Sequence, residues 1–328
     1  MGWGLASAVL AMSLAACGGS SSSAGPDSGS ISFGNIPQAA SAMLFAQADQ
    51  DGLWAKHDVK VQVNQAPSLA VLYQEFSSGQ HDCIFGDPGG FAIQASQGVP
   101  VTVISSMSPN FAYLVSGATT RNTDPSSLVG KRLVTQAASG TFKFFSAVAK
   151  EWYGVDMATG VQVVNAQDGA QAMAQVSAGS ADAAYVLESA PTTALQSNPA
   201  LAITYNPADD FAARTGKTAW QTVLMCRTDK GLNGAAVGRL VEVFQDAARA
   251  ALSDPAKADR LAVEVTGSKP GVYKTIFESG RLKYDLIPIN DKVASDLQTA
   301  IDLQQRAGTL QKAEIPSSFY AGAVALQQ

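Results

Sequence analysis

The residues of this chain best suited to chemistry fall in a few short loops. Ser139-Gly140-Thr141 has the composition of a helix start, with Ser139 as N-cap and backbone N–H groups after it that have no partner inside the helix. Such a terminus attracts an anionic group without a basic side chain, or simply caps its helix under water. Lys143 follows within the first turns, where its amine reaches an acidic ligand or points to solvent. Gly86-Asp87-Pro88-Gly89-Gly90 combines glycines with a proline, which lets backbone approach a ligand closely and equally makes a strand-to-helix turn. Asp87 accepts from a ligand amine or hydroxyl, or from its own helix. Trp220, just ahead of the apolar run Thr222–Cys226, offers an apolar face with a polar tip, as do Tyr113 and Tyr185, with Phe111 nearby.

Catalysis is poorly provided for. A serine or cysteine nucleophile needs an adjacent base, and the two histidines, His57 and His81, both precede strand-like runs, away from these loops. Two histidines and three cysteines make no metal-ligand spacing, so no metal and no cofactor is expected. A net charge of −5 argues against nucleic acid, which rewards basic surfaces. Cys83 and Cys226 sit in apolar runs and read as buried thiols. A disulfide between them is the alternative in an extracytoplasmic location; sequence alone does not say whether their Cα atoms come within reach.

The N-terminus carries a different signal. Trp3–Ala16 is an uncharged, mostly apolar run too short to span a bilayer, and it ends Leu14-Ala15-Ala16-Cys17 before a Ser/Gly/Pro stretch. The tetrapeptide resembles a bacterial lipobox, which implies cleavage before Cys17 and lipidation of Cys17. No Lys or Arg precedes the run, although an export signal normally begins with positive charge. A start codon placed too far downstream accounts for that. Residues 1–16 are then a signal peptide and 17–30 a flexible, lipid-anchored linker on an exported body.

The rest of the chain repeats itself. Ser77-Ser78-Gly79-Gln80-His81-Asp82-Cys83-Ile84-Phe85 and Ser177-Ala178-Gly179-Ser180-Ala181-Asp182-Ala183-Ala184-Tyr185 share Ser, Gly and Asp at an offset of 100. Each follows an amphipathic helix candidate: Leu69, Leu72, Tyr73 and Phe76 in one copy, Ala172, Met173 and Val176 in the other. Upstream, strands at Ile31–Gly34 and Arg132–Thr135 lead to helices at 39–50 and 140–152, then to strands at 59–63 and 161–164. Each half reads strand, helix, strand, helix, strand, which predicts two α/β lobes with parallel sheets and a cleft between them. Ligands sit beyond the carboxyl ends of such strands. That rule marks Asn35–Gln38, Gly86–Gly90, Ser105–Met107, Ala137–Thr141 and Glu188–Pro191. Asp82 and Asp182 precede strands and lie at the wrong end of the sheet, as structural turn residues.

Four segments in this order resemble the type II periplasmic-binding-protein fold, in its sulfonate/nitrate/taurine and thiamine-precursor (SsuA/THI5-like) branch. They are the opening strand and helix ending Asp51-Gly52-Leu53-Trp54, the stretch Ser78–Pro88, Leu128-Val129-Gly130-Lys131-Arg132-Leu133-Val134, and Ser177–Glu188. The family's Glu-Pro becomes Glu188-Ser189, with the proline delayed to Pro191. The resemblance covers about residues 31–225. It implies two Rossmann-like lobes joined by a two-segment hinge: 31–114 for the first, 115–223 for the second, and 224–328 for the return to the first lobe and C-terminal helices. It implies a solute-binding subunit of an ABC importer that closes on a small polar or anionic ligand, such as a sulfonate, carboxylate, aromatic acid or pyrimidine. No enzymatic activity is expected. The expected partners are that ligand, the permease and, through Cys17, the membrane; a monomer is expected. The ligand-binding residues expected are Asn35, Gln38, Gly86, Asp87, Pro88, Ser106, Ser139, Gly140, Thr141, Glu188 and Trp220. The alternatives are an enzyme like the thiamine-pyrimidine synthase of this branch, for which no matching histidine motif is present, and a periplasmic protein-binding adaptor.

Overall fold

The computed structural model describes residues 29–37, 39–117 and 122–327. The export segment, Cys17 and Gln38 lie outside the described residues. The first half of the chain forms β1 (Ser30–Asn35), α1 (Ala42–Gln50), α2 (Leu53–Lys56), β2 (Lys60–Gln65), α3 (Leu69–Ser77), β3 (Cys83–Gly86), α4 (Pro88–Ser96) and β4 (Val101–Pro109). The second forms β5 (Ala112–Gly117), β6 (Arg132–Thr135), α5 (Gly140–Tyr153), β7 (Gln162–Asn165), α6 (Gly169–Ser177), β8 (Ala183–Leu187), α7 (Ala190–Ser197), β9 (Leu201–Tyr205) and α8 (Pro207–Thr215). The chain then returns through β10 (Trp220–Arg227) and continues in α9 (Gly234–Ser253), α10 (Pro255–Thr266), α11 (Val272–Glu278) and α12 (Asp291–Ala307).

The strands build two five-stranded sheets, ordered β2-β1-β3-β10-β4 and β7-β6-β8-β5-β9. In each, the first three strands run parallel, and β10 or β5 enters antiparallel beside the third. The 100-residue repeat is physical. Asp82 accepts the Ser32 N–H at 2.8 Å, and Asp182 accepts the Arg132 N–H at 2.9 Å, so each aspartate ties the third strand to the first. Ser68 caps α3 through the Val71 N–H, and Asp168 caps α6 through the Gln171 N–H. Gly79 and Gly179 take φ of 85° and 70°, the left-handed turn that ends each helix.

Three sequence expectations need correction. The crossings come earlier than residues 114 and 223, because β5 starts at Ala112 and β10 at Trp220. The chain passes between lobes at Asn110-Phe111 and again between α8 and β10. Ser105–Met107 is not a loop beyond a strand but the middle of β4, where the Ser106 N–H donates to the Ile287 carbonyl at 2.9 Å. Cys83 and Cys226 are not thiols. They face each other in the β3–β10 register and form a disulfide.

One core packs α1, α9, α10 and α11 on the first sheet around Phe33, Phe45, Phe85 and Phe244. A second packs α3, α4 and α12 on its other face around Phe76, Phe91 and Leu297. The second sheet is covered by α5 on one face and by α6 and α7 on the other. The C-terminal helices were expected to pack on the first lobe. Helix α12 does so and also reaches the second, where Ala300, Leu303 and Ala307 bury against Phe144, Val148 and Phe211. Burial of each large side chain in that cluster contributes roughly 1.5–3 kcal/mol, so α12 joins the lobes along one flank. No helix among the described residues is long and apolar enough to cross a membrane.

Candidate functional site

The helix starts that follow β3 and β6 face one another across the gap between lobes, and residues of both crossings lie beside them. At the end of β3, Asp87 caps α4: its Oδ2 accepts the Gly90 N–H at 2.9 Å, and Pro88 sits in the first turn where a missing N–H costs nothing. The Asp87 N–H donates to the Tyr73 hydroxyl at 2.7 Å. Burial pushes the Asp87 carboxyl above its ordinary range, against the N–H groups of Gly90 and Gly89 and the charge of Lys143. At the end of β6, Ser139 caps α5 by accepting the Phe142 N–H at 3.2 Å.

These two helix starts meet. A Cβ placed on Gly140 would stand 2.7 Å from Asp87 Oδ1 and closer still to Oδ2 and Cγ. The backbone of α5 in one lobe is thus in contact with a carboxylate of the other, and only glycine leaves room. Beside this contact lies a cavity lined by Asp87, Pro88 and Gly89 from the first lobe and by Gly140 and Phe144 from the second. Asn110, Ala219, Trp220 and Gln221 from the crossings and Leu297, Ala300, Ile301 and Gln304 from α12 complete it. Its interior is about 20 Å³, room for about one water molecule. An organic solute therefore enters only if the lobes part.

A hydrogen-bond chain ties the crossings to α5. Asn110 Oδ1 accepts the Ala112 N–H at 2.9 Å, Asn110 Nδ2 donates to Gln221 Oε1 at 2.9 Å, and Gln221 Nε2 donates to Thr141 Oγ1 at 2.6 Å. Both passages of chain between lobes are thereby bonded to each other and to the helix start that faces the cavity. The Trp220 Nε1–H is buried without a partner.

Of the residues expected at the site, Asp87, Pro88, Gly140 and Trp220 line the cavity, and Thr141 is one hydrogen bond away. Ser139 remains a cap, and Gly86 packs against Met225 and Phe91. Asn35 is buried, with its Oδ1 accepting from the Ser41 hydroxyl at 2.9 Å. Ser106 is committed to the 285–287 segment. Glu188 is buried and bonded to Arg281 and Thr192. Tyr113 donates to the Arg281 carbonyl, and Tyr185 stacks on Phe145. The sequence reading missed Asn110, Gln221 and the α12 residues. Asn110 and Gln221 are polar residues beside apolar strands near the expected crossings, which is a usable signal. The histidines lie apart: His81 pairs with Glu75 and His57 with Asp246, each at 2.9 Å. Among the described residues, no cluster of three or more His, Cys, Asp or Glu is placed to hold a metal ion.

The model of one protein family, described as NMT1/THI5 like, matches residues 40–258, more than half of the chain. The chain belongs to the NMT1/THI5-like family. No curated protein matches the sequence. The fold of this NMT1/THI5-like protein is that of solved periplasmic binding proteins. The aliphatic sulphonate binding protein SsuA from Escherichia coli superposes with a TM-score of 0.73 at 15% identity, over 89% of this chain and 92% of that one. The alkanesulfonate-binding protein SsuA from Xanthomonas axonopodis pv. citri, bound to MOPS, gives 0.69 at 16% identity over 90% and 97%. A putative periplasmic sulfonate-binding SsuA from Methylobacillus flagellatus gives 0.65 at 14% identity over 91% and 94%. At these identities the likeness is one of fold.

Proposed function

We propose that this protein is an extracytoplasmic solute receptor of an ABC importer, capturing a small polar or anionic organic ligand as its lobes close. The observation that carries this reading is the meeting of two helix starts from opposite lobes over a constricted cavity whose base is the pair of crossings. First-turn N–H groups favour an anionic or polar group, Trp220 and Phe144 supply apolar surface, and Asn110, Gln221 and Gln304 supply side-chain hydrogen bonds. The SsuA proteins of the same fold are sulfonate binders by name, so sulfonates head the ligand classes to try, followed by carboxylates, aromatic acids and pyrimidines. Binding without catalysis fits a cavity from which both histidines are remote. The disulfide fits an exported protein.

In this reading Cys17 carries lipid that tethers the receptor beside its permease, and residues 17–30 act as the flexible leash. Expressed behind a basic n-region, the protein should partition with membranes, and intact mass should show an acylated Cys17; an unmodified mature Cys17 rejects the anchor. The capture reading is tested by a thermal-shift panel of sulfonates, carboxylates, aromatic acids and pyrimidines, with calorimetry on each hit. A specific ligand raises Tm with concentration by mass action. A panel with no concentration-dependent shift counts against a solute receptor of these classes.

A further inference from the structure

Glu188 and Arg281 meet between the lobes on the flank where α7 packs against α11, beside the first crossing, whose Phe111 carbonyl accepts the Glu188 N–H at 3.0 Å. Glu188 follows β8 in the second lobe and its side chain has no solvent exposure; Arg281 follows α11 and is 23% exposed. The Arg281 Nε donates to Glu188 Oε1 at 2.7 Å, and its Nη2 donates to the Thr192 hydroxyl at 2.7 Å. The same hydroxyl lies 2.9 Å from each Glu188 carboxylate oxygen. The carbonyl of Arg281 in turn accepts from the Tyr113 hydroxyl at 2.8 Å, beside the first crossing. Around Arg281, Phe277, Leu282 and Tyr284 are buried in the first lobe's core, so its backbone belongs to that lobe. Thr192 lies on α7, which packs on the second sheet.

We propose that Arg281 is a positioning residue for ligand capture: with Glu188 and Thr192 it forms a charged clasp between lobes that sets how much of the unliganded protein is already closed. This rests on the solute-receptor reading above. The planar guanidinium fork matches a carboxylate and an adjacent hydroxyl, so the clasp selects one lobe orientation where a point charge would accept many. A buried carboxylate stripped of its partner is unfavourable, but when the lobes part both ions regain water, so removing either partner favours the open form. A ligand that needs the closed form then binds more weakly by the factor lost in closed population. In this proposal Glu188 acts through Arg281, a role different from the ligand contact expected of the loop after β8. The neighbouring contact between Lys269 and the Ser197 hydroxyl, 3.0 Å and exposed, is on the same flank and serves as a control, because exposed contacts of this kind contribute little.

The test uses the mature chain with p-acetylphenylalanine at Gln65 and Gln167, which are exposed at the mouth ends of β2 and β7 on opposite lobes. Nitroxide labels there report lobe separation by pulsed electron paramagnetic resonance without using cysteines. Unliganded Arg281→Ala and Glu188→Gln should each raise the long-distance fraction about tenfold or more relative to the short one, the scale of one lost charge-assisted hydrogen bond. Arg281→Lys and Thr192→Ala should shift it the same way by less, and Lys269→Ala should leave it unchanged. If Arg281→Ala does not fold, Arg281→Lys and Thr192→Ala decide. Distributions that superpose on the unsubstituted protein, or a Lys269→Ala shift as large as that of Arg281→Ala, overturn the clasp. A separate arm adds ethanesulfonate or MOPS to the unsubstituted protein. Failure of every panel compound to shorten the distance counts against the receptor reading, whereas the clasp is judged on the unliganded distributions alone.

Discussion

Gly140→Ala isolates the contact on which closure depends. In this structure, which the proposed mechanism reads as the closed form, a Cβ at this position stands 2.7 Å from Asp87 Oδ1 and nearer to Oδ2. Ordinary contact between such atoms is about 3.5 Å, so a gap of about 1 Å must open. Asp87 does not yield freely, because its Oδ2 caps α4 through the Gly90 N–H. Losing that cap costs about 1 kcal/mol, and forcing a methyl into a packed contact typically costs about 1–3 kcal/mol. The closed form should therefore lose about 1–3 kcal/mol against the open one, roughly five- to hundredfold in population and in affinity for any ligand that requires closure. Within α5 itself the change is mild or favourable, since alanine is the better helix former. Stability of the unliganded protein should therefore hold while closure fails, which separates this effect from general damage. The assay combines label distance between Gln65 and Gln167 with calorimetry on a thermal-shift hit. Asp87→Ser shortens the opposing side chain while keeping a capping oxygen, and in combination with Gly140→Ala it should restore closure. If Gly140→Ala closes and binds like the unsubstituted protein with Asp87 in place, the close approach of the two helix starts is not a feature of the functional closed state.

The disulfide joins residues separated by 143 positions; chain-entropy arguments allow it up to about 5 kcal/mol, so Cys83→Ala with Cys226→Ala should lower Tm by roughly 5–15 °C, read by calorimetry, and an unchanged Tm would show the β3–β10 pairing to be self-sufficient. Asp246 accepts hydrogen bonds from Lys56 and His57, which hold its carboxyl down to about 2 from 3.8. Its stabilising contribution is complete above pH 3.8 and lost as pH falls toward 2, so Asp246→Asn should flatten the Tm-versus-pH curve in that window; an unaltered acid limb would refute the assignment. Asp82→Ala and Asp182→Ala each remove a carboxylate bond to a neighbouring strand. They should each cost roughly 1.5–3 kcal/mol of stability in urea unfolding, with ligand affinity unchanged in whatever folds; a loss of affinity at full stability would move these residues into the site.

What the sequence made legible was local. The apolar periods of α3 and α6, the left-handed glycines after them and the aspartates before β3 and β8 are decided within about fifteen residues, and both copies fold alike. The α/β lobes and the type II architecture follow from those pieces. What stayed hidden depends on register and docking. Cys83 and Cys226 each sit in an apolar strand, and only antiparallel pairing of β3 with β10 sets them opposite one another. Ser105–Met107 reads as a loop beyond a strand's carboxyl end; the 285–287 segment, remote in sequence, supplies the partners that let Ser106 stay inside β4. Helix α12 carries its double role in its sequence. Val293, Leu297 and Ile301 form one stripe, toward the first lobe, and Ala300, Leu303 and Ala307 form another beside it, toward α5. An apolar arc that wide is more than one lobe needs, and two partners explain it.

The same distinction governs the site. Asp87 and Gly140 were both singled out, yet for different reasons: one as an acceptor or cap, the other as a place where a ligand approaches backbone. Their mutual contact belongs to neither helix and joins two lobes that the chain links at Asn110-Phe111 and at the segment before Trp220; in the proposed mechanism it forms as the lobes turn about those segments. Glu188 and Arg281 behave alike, 93 residues apart and bonded to each other across that gap. A receptor that works by closing must keep its decisive contacts at surfaces that are also stable apart. Such surfaces carry polar caps and ordinary turns, because in the open form each has to satisfy its own hydrogen bonds in water. Asp87 capping α4 and Ser139 capping α5 meet that requirement independently of closure. The residues that read most blandly in this chain, as caps and turns, are therefore the ones a closing mechanism has to use.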